Sequence, residues 1–238
     1  RKALDAWSAL NASLESEHPG RIEAGYFYFA ARIVGQSKGM RGREVRNLVE
    51  STKRYTGWPI FISLNRDELG PSNVDGNIQA WVAKNSMADP GHADFWRINP
   101  DGFFFSLRGY QEDSPREFRD LSELPGRLSK SSGERLEVTL PVWRLAEFIL
   151  KVDELASQMF EEGFSIQIKC VWSGLRNRKL YAHNFALDVP AYRAATDTAE
   201  SAGTFKHSEV IDLLPEVIKK LTMPLYEAFE FYSPASSF

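Results

Sequence analysis

The chain has 238 residues, 43% of them hydrophobic, and a net charge of −3 from 29 Lys/Arg against 32 Asp/Glu. That length buries a sizeable core without staples, and the near balance of charge excludes a nucleic-acid-binding footprint over the whole domain. One cysteine, Cys170, excludes an intrachain disulfide and a cysteine zinc finger.

Cys170 reads as a buried, inert thiol and fits a reducing compartment. No apolar run approaches the roughly 18 residues of a membrane span, so no membrane contact is expected. The charge is uneven: residues 1–56 carry ten Lys/Arg and six Asp/Glu, and the remainder nineteen and twenty-six. Within the basic part, Lys38, Arg41, Arg43 and Arg46 read as a solvated helix start and loop rather than a nucleic-acid patch. The chain opens at Arg1 inside a helical pattern, which predicts a piece of a longer protein.

In chain order, Leu4, Trp7, Leu10 and Leu14 predict an amphipathic helix over Lys2 to Glu17, broken by His18-Pro19-Gly20. Tyr26 to Val34 is a strand by its aromatic and branched residues, covered on both faces. A short helix is expected from Arg43 to Tyr55, then a strand over Ile60 to Leu64 after Pro59. A turn-rich link (Asp67 to Asn77) precedes an alternating strand from Ile78 to Val82. Asn99-Pro100-Asp101-Gly102 between Ala93–Ile98 and Phe103–Arg108 is the clearest hairpin signal. Ser114 to Gly133 holds three breaks and reads as a mobile loop or lobe boundary. Arg135 to Leu140 predicts a strand that passes through Pro141 into a long helix, Trp143 to Phe160. Its stripe of Leu145, Phe148, Ile149, Val152, Leu155, Ala156 and Met159 is expected to lie on the next strand, on the face of Ile166, Ile168, Cys170 and Trp172. Ser173 to Arg178 then turns the chain back into an antiparallel return strand, Lys179 to Ala186. Pro190 to Ser201 reads as short helix and loop, and Thr204 to His207 as a short strand. A final helix starts at Ser208, which Pro224 kinks or splits. Strands clustered into hairpins with helices between them predict an α+β fold. The sheet is mostly antiparallel and packed by amphipathic helices, as one region or as intimately packed lobes 1–130 and 131–238.

The residues show no evident reaction centre. The four histidines lie far apart, and no metal spacing, nucleophile elbow or phosphate loop is present; no metal and no cofactor are expected. His183, beside Tyr181 and Asn184, reads as a surface or hydrogen-bonded core histidine. Gln167-x-Lys169 resembles half of a Mg²⁺-dependent nuclease pattern, in which oxygen ligands hold the hard cation and a lysine holds the phosphate. The upstream aspartate is missing, because a helix precedes it. A third reading is a small-molecule pocket lined by Trp58, Trp81, Trp96, Phe103, Phe105, Trp143 and Trp172, with Arg97, Arg108 or Arg176 as polar anchors; rings of this kind are more often core. Arg108 is also placed to form an ion pair with Glu112-Asp113, or to meet an anion together with Arg97.

Three segments carry a resemblance: Thr56-Gly-Trp-Pro59, Asp94 to Asp113 and Ser173 to Leu180, with Leu221 to Phe229 fitting as well. They look like the region that follows a Schlafen AlbA-type DNA-binding domain in bacterial proteins labelled transcriptional regulators or ATP-binding proteins. The resemblance implies a cytoplasmic accessory or effector-sensing region, with nucleic acid bound by a preceding domain. The expected function is therefore non-enzymatic regulation, oligomerisation or effector sensing, through a protein partner or self-association. The nuclease and the aromatic pocket are the alternatives.

Overall fold

A computed structural model of the chain describes residues 1–64, 69–83, 89–114, 132–182, 189 and 192–232. Its elements are α1 (Lys2–Ala12), β1 (Tyr26–Val34), α2 (Gly42–Ser51), β2 (Ser72–Val74), β3 (Asn77–Trp81), β4 (Phe95–Asn99) and β5 (Phe103–Gly109). After them come β6 (Arg135–Glu137), α3 (Leu140–Met159), β7 (Ser165–Ser173), β8 (Lys179–Tyr181), β9 (Thr198–Lys206), α4 (His207–Val210) and α5 (Leu214–Glu227). Seven strands form one antiparallel sheet in the order β2-β3-β4-β5-β1-β7-β9. The fold is α+β, as the clustering of strands and helices predicts.

The period of two along each strand divides the sheet into two faces. Phe29, Ala31 and Ile33 of β1, with Ile166, Ile168, Cys170 and Trp172 of β7, face the larger core. The stripe of α3 covers them: Leu145, Phe148, Ile149, Val152, Leu155, Ala156 and Met159 have no exposed surface. Each such side chain contributes about 1.5–3 kcal/mol by leaving water, so α3 is fixed by burial rather than by propensity. The helix begins three residues earlier than expected, with Pro141 in its first turn, where a missing N–H costs nothing. The Glu137 carboxylate accepts hydrogen bonds from the N–H groups of Thr139 and Leu140, at 2.7 and 2.9 Å, and so serves the open helix end.

On the opposite face, Trp7 of α1 packs with Phe95, Phe105 and Leu107 in a second, smaller core. That cover lies over β3, β4 and β5 and reaches Tyr26, Tyr28 and Ala30 of β1. Over β7 and β9, Gln167, Lys169, Glu200, Ala202 and Thr204 are exposed. The proposed division at residue 130 falls inside a continuous sheet, since β1 lies hydrogen-bonded between β5 and β7.

Several local expectations give way to tertiary context. Ile60 and Phe61 form a turn rather than a strand, with Phe61 at φ 54° and its ring buried against Trp96 and Phe148. The run is apolar because it plugs the core, not because it joins a ladder. β8 does not return along β7; it pairs in parallel with β6 as a separate two-stranded sheet. The last four residues of the stretch expected to be short helix and loop, 198–201, belong to β9, which is nine residues long. The turn-rich link contains β2, joined to β3 by Asp75-Gly76 with both residues at positive φ, the conformation that a two-residue hairpin turn demands. The last helical region breaks at residues 211–213, and α5 then runs through Pro224. Gly102 closes the β4–β5 turn at φ 89°, where a Cβ would strike the Phe160 ring. Residues 115–131, which hold most of the expected mobile loop, and 183–188, which hold half of the expected return strand, lie outside the described residues. Among the described residues no helix is long and apolar enough to cross a membrane.

Candidate functional site

Arg108 stands near the end of β5 on the α3 side of the sheet and is 2% exposed. Its guanidinium is held by Asp94, just before β4: Nε donates to Oδ1 at 2.7 Å, and Nη2 donates to the same oxygen. The other Asp94 oxygen accepts from Trp58 Nε1 at 2.7 Å. Arg108 Nη1 is buried and has no hydrogen-bond partner among the described residues. An unsatisfied buried polar group costs about 1–3 kcal/mol, and more when charged, so an added acceptor at this nitrogen would be stabilising.

A second guanidinium lies close by. Arg144, in the first turns of α3, donates Nη1 to the Trp58 carbonyl at 3.1 Å and lies 3.5 Å from the buried Glu147 carboxylate. Glu147 in turn accepts from Thr56 Oγ1 at 2.9 Å. Burial, and then the like charge of Arg108, push the Arg144 pKa down to about 10. Arg108, Arg144 and Glu112 line a cavity whose remaining walls come mainly from Phe27, Leu136, Leu140, Pro141 and Trp172. Its free interior is about 20 Å³, enough for one water-sized sphere.

Glu112 is buried and accepts a hydrogen bond from the Glu137 backbone N–H. Burial raises its pKa to about 7, although that N–H and the Arg178 charge both pull it down. Near neutrality this carboxyl therefore exchanges between acceptor and donor. Behind it sits a fully buried ion pair. Arg178 donates Nη1 and Nη2 to the two oxygens of Asp113, at 2.9 and 2.7 Å. It also donates to the carbonyls of Gly174, Arg135 and Ala24, with Tyr110 stacked 4.4 Å from its carbon. This network fixes the wall that carries Glu112.

The sequence-predicted residues fall in different places. The Glu112-Asp113 pair does not take Arg108: Asp94 holds Arg108, and Asp113 goes to Arg178. Arg97 alternates to the opposite face of the sheet and donates Nε to Gln79 at 2.9 Å. Arg176 is exposed and bonds the Ala195 carbonyl. Gln167 and Lys169 lie on the uncovered side of β7, and Lys169 Nζ is paired with Glu200 at 2.7 Å. His183 lies outside the described residues. The aromatic set is likewise dispersed. Trp172 lines the cavity, Trp81, Phe103 and Phe105 pack under α1, Trp96 is core, and Trp143 is 64% exposed.

Among the described residues no group of three or more His, Cys, Asp and Glu is arranged to hold a metal ion. Two histidine–aspartate pairs exist, His92 with Asp89 at 2.9 Å and His207 with Asp153 at 2.7 Å. Among the described residues neither histidine is hydrogen-bonded to a serine or cysteine. The arrangement around Arg108 offers guanidinium N–H donors, their charges offset by Asp94 and Glu147, in a largely apolar enclosure. Arg144 and Arg178 were not singled out by sequence reasoning. Both are arginines near turn or helix starts, where exposure is the ordinary outcome. No family model, curated protein or solved structure matches the chain.

Proposed function

We propose that the chain is a non-catalytic, effector-sensing domain of a bacterial cytoplasmic regulator, and that its effector presents a small anionic group to Arg108 and Arg144. The observation that carries this reading is the buried, unpartnered Nη1 of Arg108 beside a cavity of one-atom size. A water molecule wants two to four partners, acceptors among them. An anion only accepts, and so complements guanidinium N–H groups and a Glu112 carboxyl that is protonated part of the time. The resemblance of Asp94 to Asp113 to an accessory region of transcriptional regulators supports the regulatory role.

Thermal unfolding in chloride, formate, acetate and phosphate, at ionic strength matched with gluconate, tests the proposal. A ligand at a hundred times its Kd adds about 2.7 kcal/mol, so a saturating rise in Tm is expected for an anion that fits. Arg144→Gln keeps a donor for the Trp58 carbonyl and removes a charge, and it should weaken the response. Equal Tm values in all five anions would refute the proposal.

A further inference from the structure

The sheet ends in two unlike edges. At one end, β2 is only three residues long. At the other, β9 pairs all nine of its residues with β7, in unbroken register and without a proline. Sheets ordinarily blunt an edge by shortness, proline, a bulge, charged side chains or a covering element; β9 is long and has no proline or bulge, and its only charges are Glu200 and Lys206. The phase of the ladder follows from His207, whose N–H donates to the Phe164 carbonyl at 3.1 Å. Bonded and unbonded pairs alternate along an antiparallel ladder. Ala199, Ser201, Gly203 and Phe205 therefore spend their backbone groups on β7. Thr198, Glu200, Ala202, Thr204 and Lys206 turn theirs toward the open edge. Among the described residues no strand pairs there, and α5 lies on the core face, where Ser201 Oγ donates to the Leu221 carbonyl at 2.5 Å.

We propose that a second copy of this chain docks on this edge, β9 against β9, antiparallel about a two-fold axis through Ala202. This register overlaps the whole strand, a contact of roughly 30 Å, and pairs only residues whose N–H and C=O point outward. Ala202 then faces Ala202 of the partner subunit, Glu200 faces Thr204 of the partner subunit, and Thr198 faces Lys206 of the partner subunit. Lys206 becomes a diagonal neighbour of Glu200 of the partner subunit, within reach for a long side chain. No like charges stand opposite each other. Moving the axis to Glu200 would set two glutamates face to face, and moving it to Gly203 would shorten the overlap; the Ala202 register is the one that overlaps all nine residues of the strand. The uncovered face of β7 and β9 then continues across both copies.

The test is the mass of the 238-residue chain in solution, by sedimentation over roughly 1–100 μM. The wild type should show twice the chain mass at the upper end. Ala202→Lys changes an exposed side chain and places two lysines together at the axis; it should give the single-chain mass with an unchanged circular dichroism spectrum. Register is read separately by mild oxidation, with Cys170 silent because it is buried. Ala202→Cys should cross-link in high yield, and Thr198→Cys should not, because it faces a lysine. A wild type of single-chain mass throughout would overturn the proposal. So would a dimer that survives Ala202→Lys, or equal cross-linking of the two cysteine variants. None of these results bears on the anion site, which lies on the other face.

Discussion

Replacing Glu112 by Gln separates the electrostatic cost of this buried carboxyl from its structural use. The amide keeps an oxygen to accept the Glu137 N–H and removes the titration. Burial raises the wild-type pKa from 4.5 to about 7, so between those values the folded state holds a proton that the unfolded state has released. Stability contributed by the group is then full below pH 4.5 and is lost as pH rises through 7. At about 1.4 kcal/mol per pKa unit, the loss comes to roughly 3–4 kcal/mol by pH ~8.5. The assay is urea unfolding of both proteins at several pH values from about 4.5 to 8.5, comparing their midpoints and slopes. Contributions from the other titrating groups cancel in the difference. Wild type should lose ground to Glu112→Gln steadily across neutrality, with the difference levelling off above pH ~8. Parallel stability curves would refute the reasoning, because they would mean that the carboxyl is already ionised at no cost in the fold.

Two further outcomes follow from the same geometry. Arg178→Ala strips Asp113 of its partner in a site with no solvent and should destabilise by about 3–5 kcal/mol, read by the same urea titration. Arg178→Ala combined with Asp113→Ala should cost less than the sum of the single changes, since no charge is left stranded. The Cys170 thiol, pushed up to about 12 by burial, should resist thiol reagents in the native protein and react only at the rate of opening. Stoichiometric labelling within minutes under native conditions would contradict its placement on the core side of β7.

The elements legible in the sequence are those whose cause is local. The α3 stripe announces its own burial, and Asn99 to Gly102 announces a turn between aromatic strands. Asp75-Gly76 carried an equally local signal, a two-residue hairpin turn, although the surrounding polar residues masked it. Other elements depend on partners far away. β9 reads Ala-Glu-Ser-Ala-Gly, weak strand formers, and is extended because β7 presents nine residues to be paired. β8 finds β6 rather than its neighbour in sequence. Phe61 adopts a left-handed backbone because its ring has a place between Trp96 and Phe148. The site is the extreme case. Arg108 was recognisable as an anchor, but Trp58, Asp94, Glu112 and Arg144 meet it only through the tertiary fold. An arginine as buried as Arg178 has no signature in a single sequence, since most of the partners that make burial tolerable come from three other segments.

The position of β1 carries a consequence for synthesis. This strand emerges early, yet it lies between β5 and β7, and its second partner, paired from Tyr26↔Ser173 to Val34↔Ser165, leaves the ribosome roughly 140 residues later. Until then a run of tyrosine and phenylalanine has one flank open to any passing extended chain. Expression of this protein therefore depends on how long the nascent strand is shielded, and slowing translation before residue 165 should raise the insoluble fraction more than slowing it afterwards.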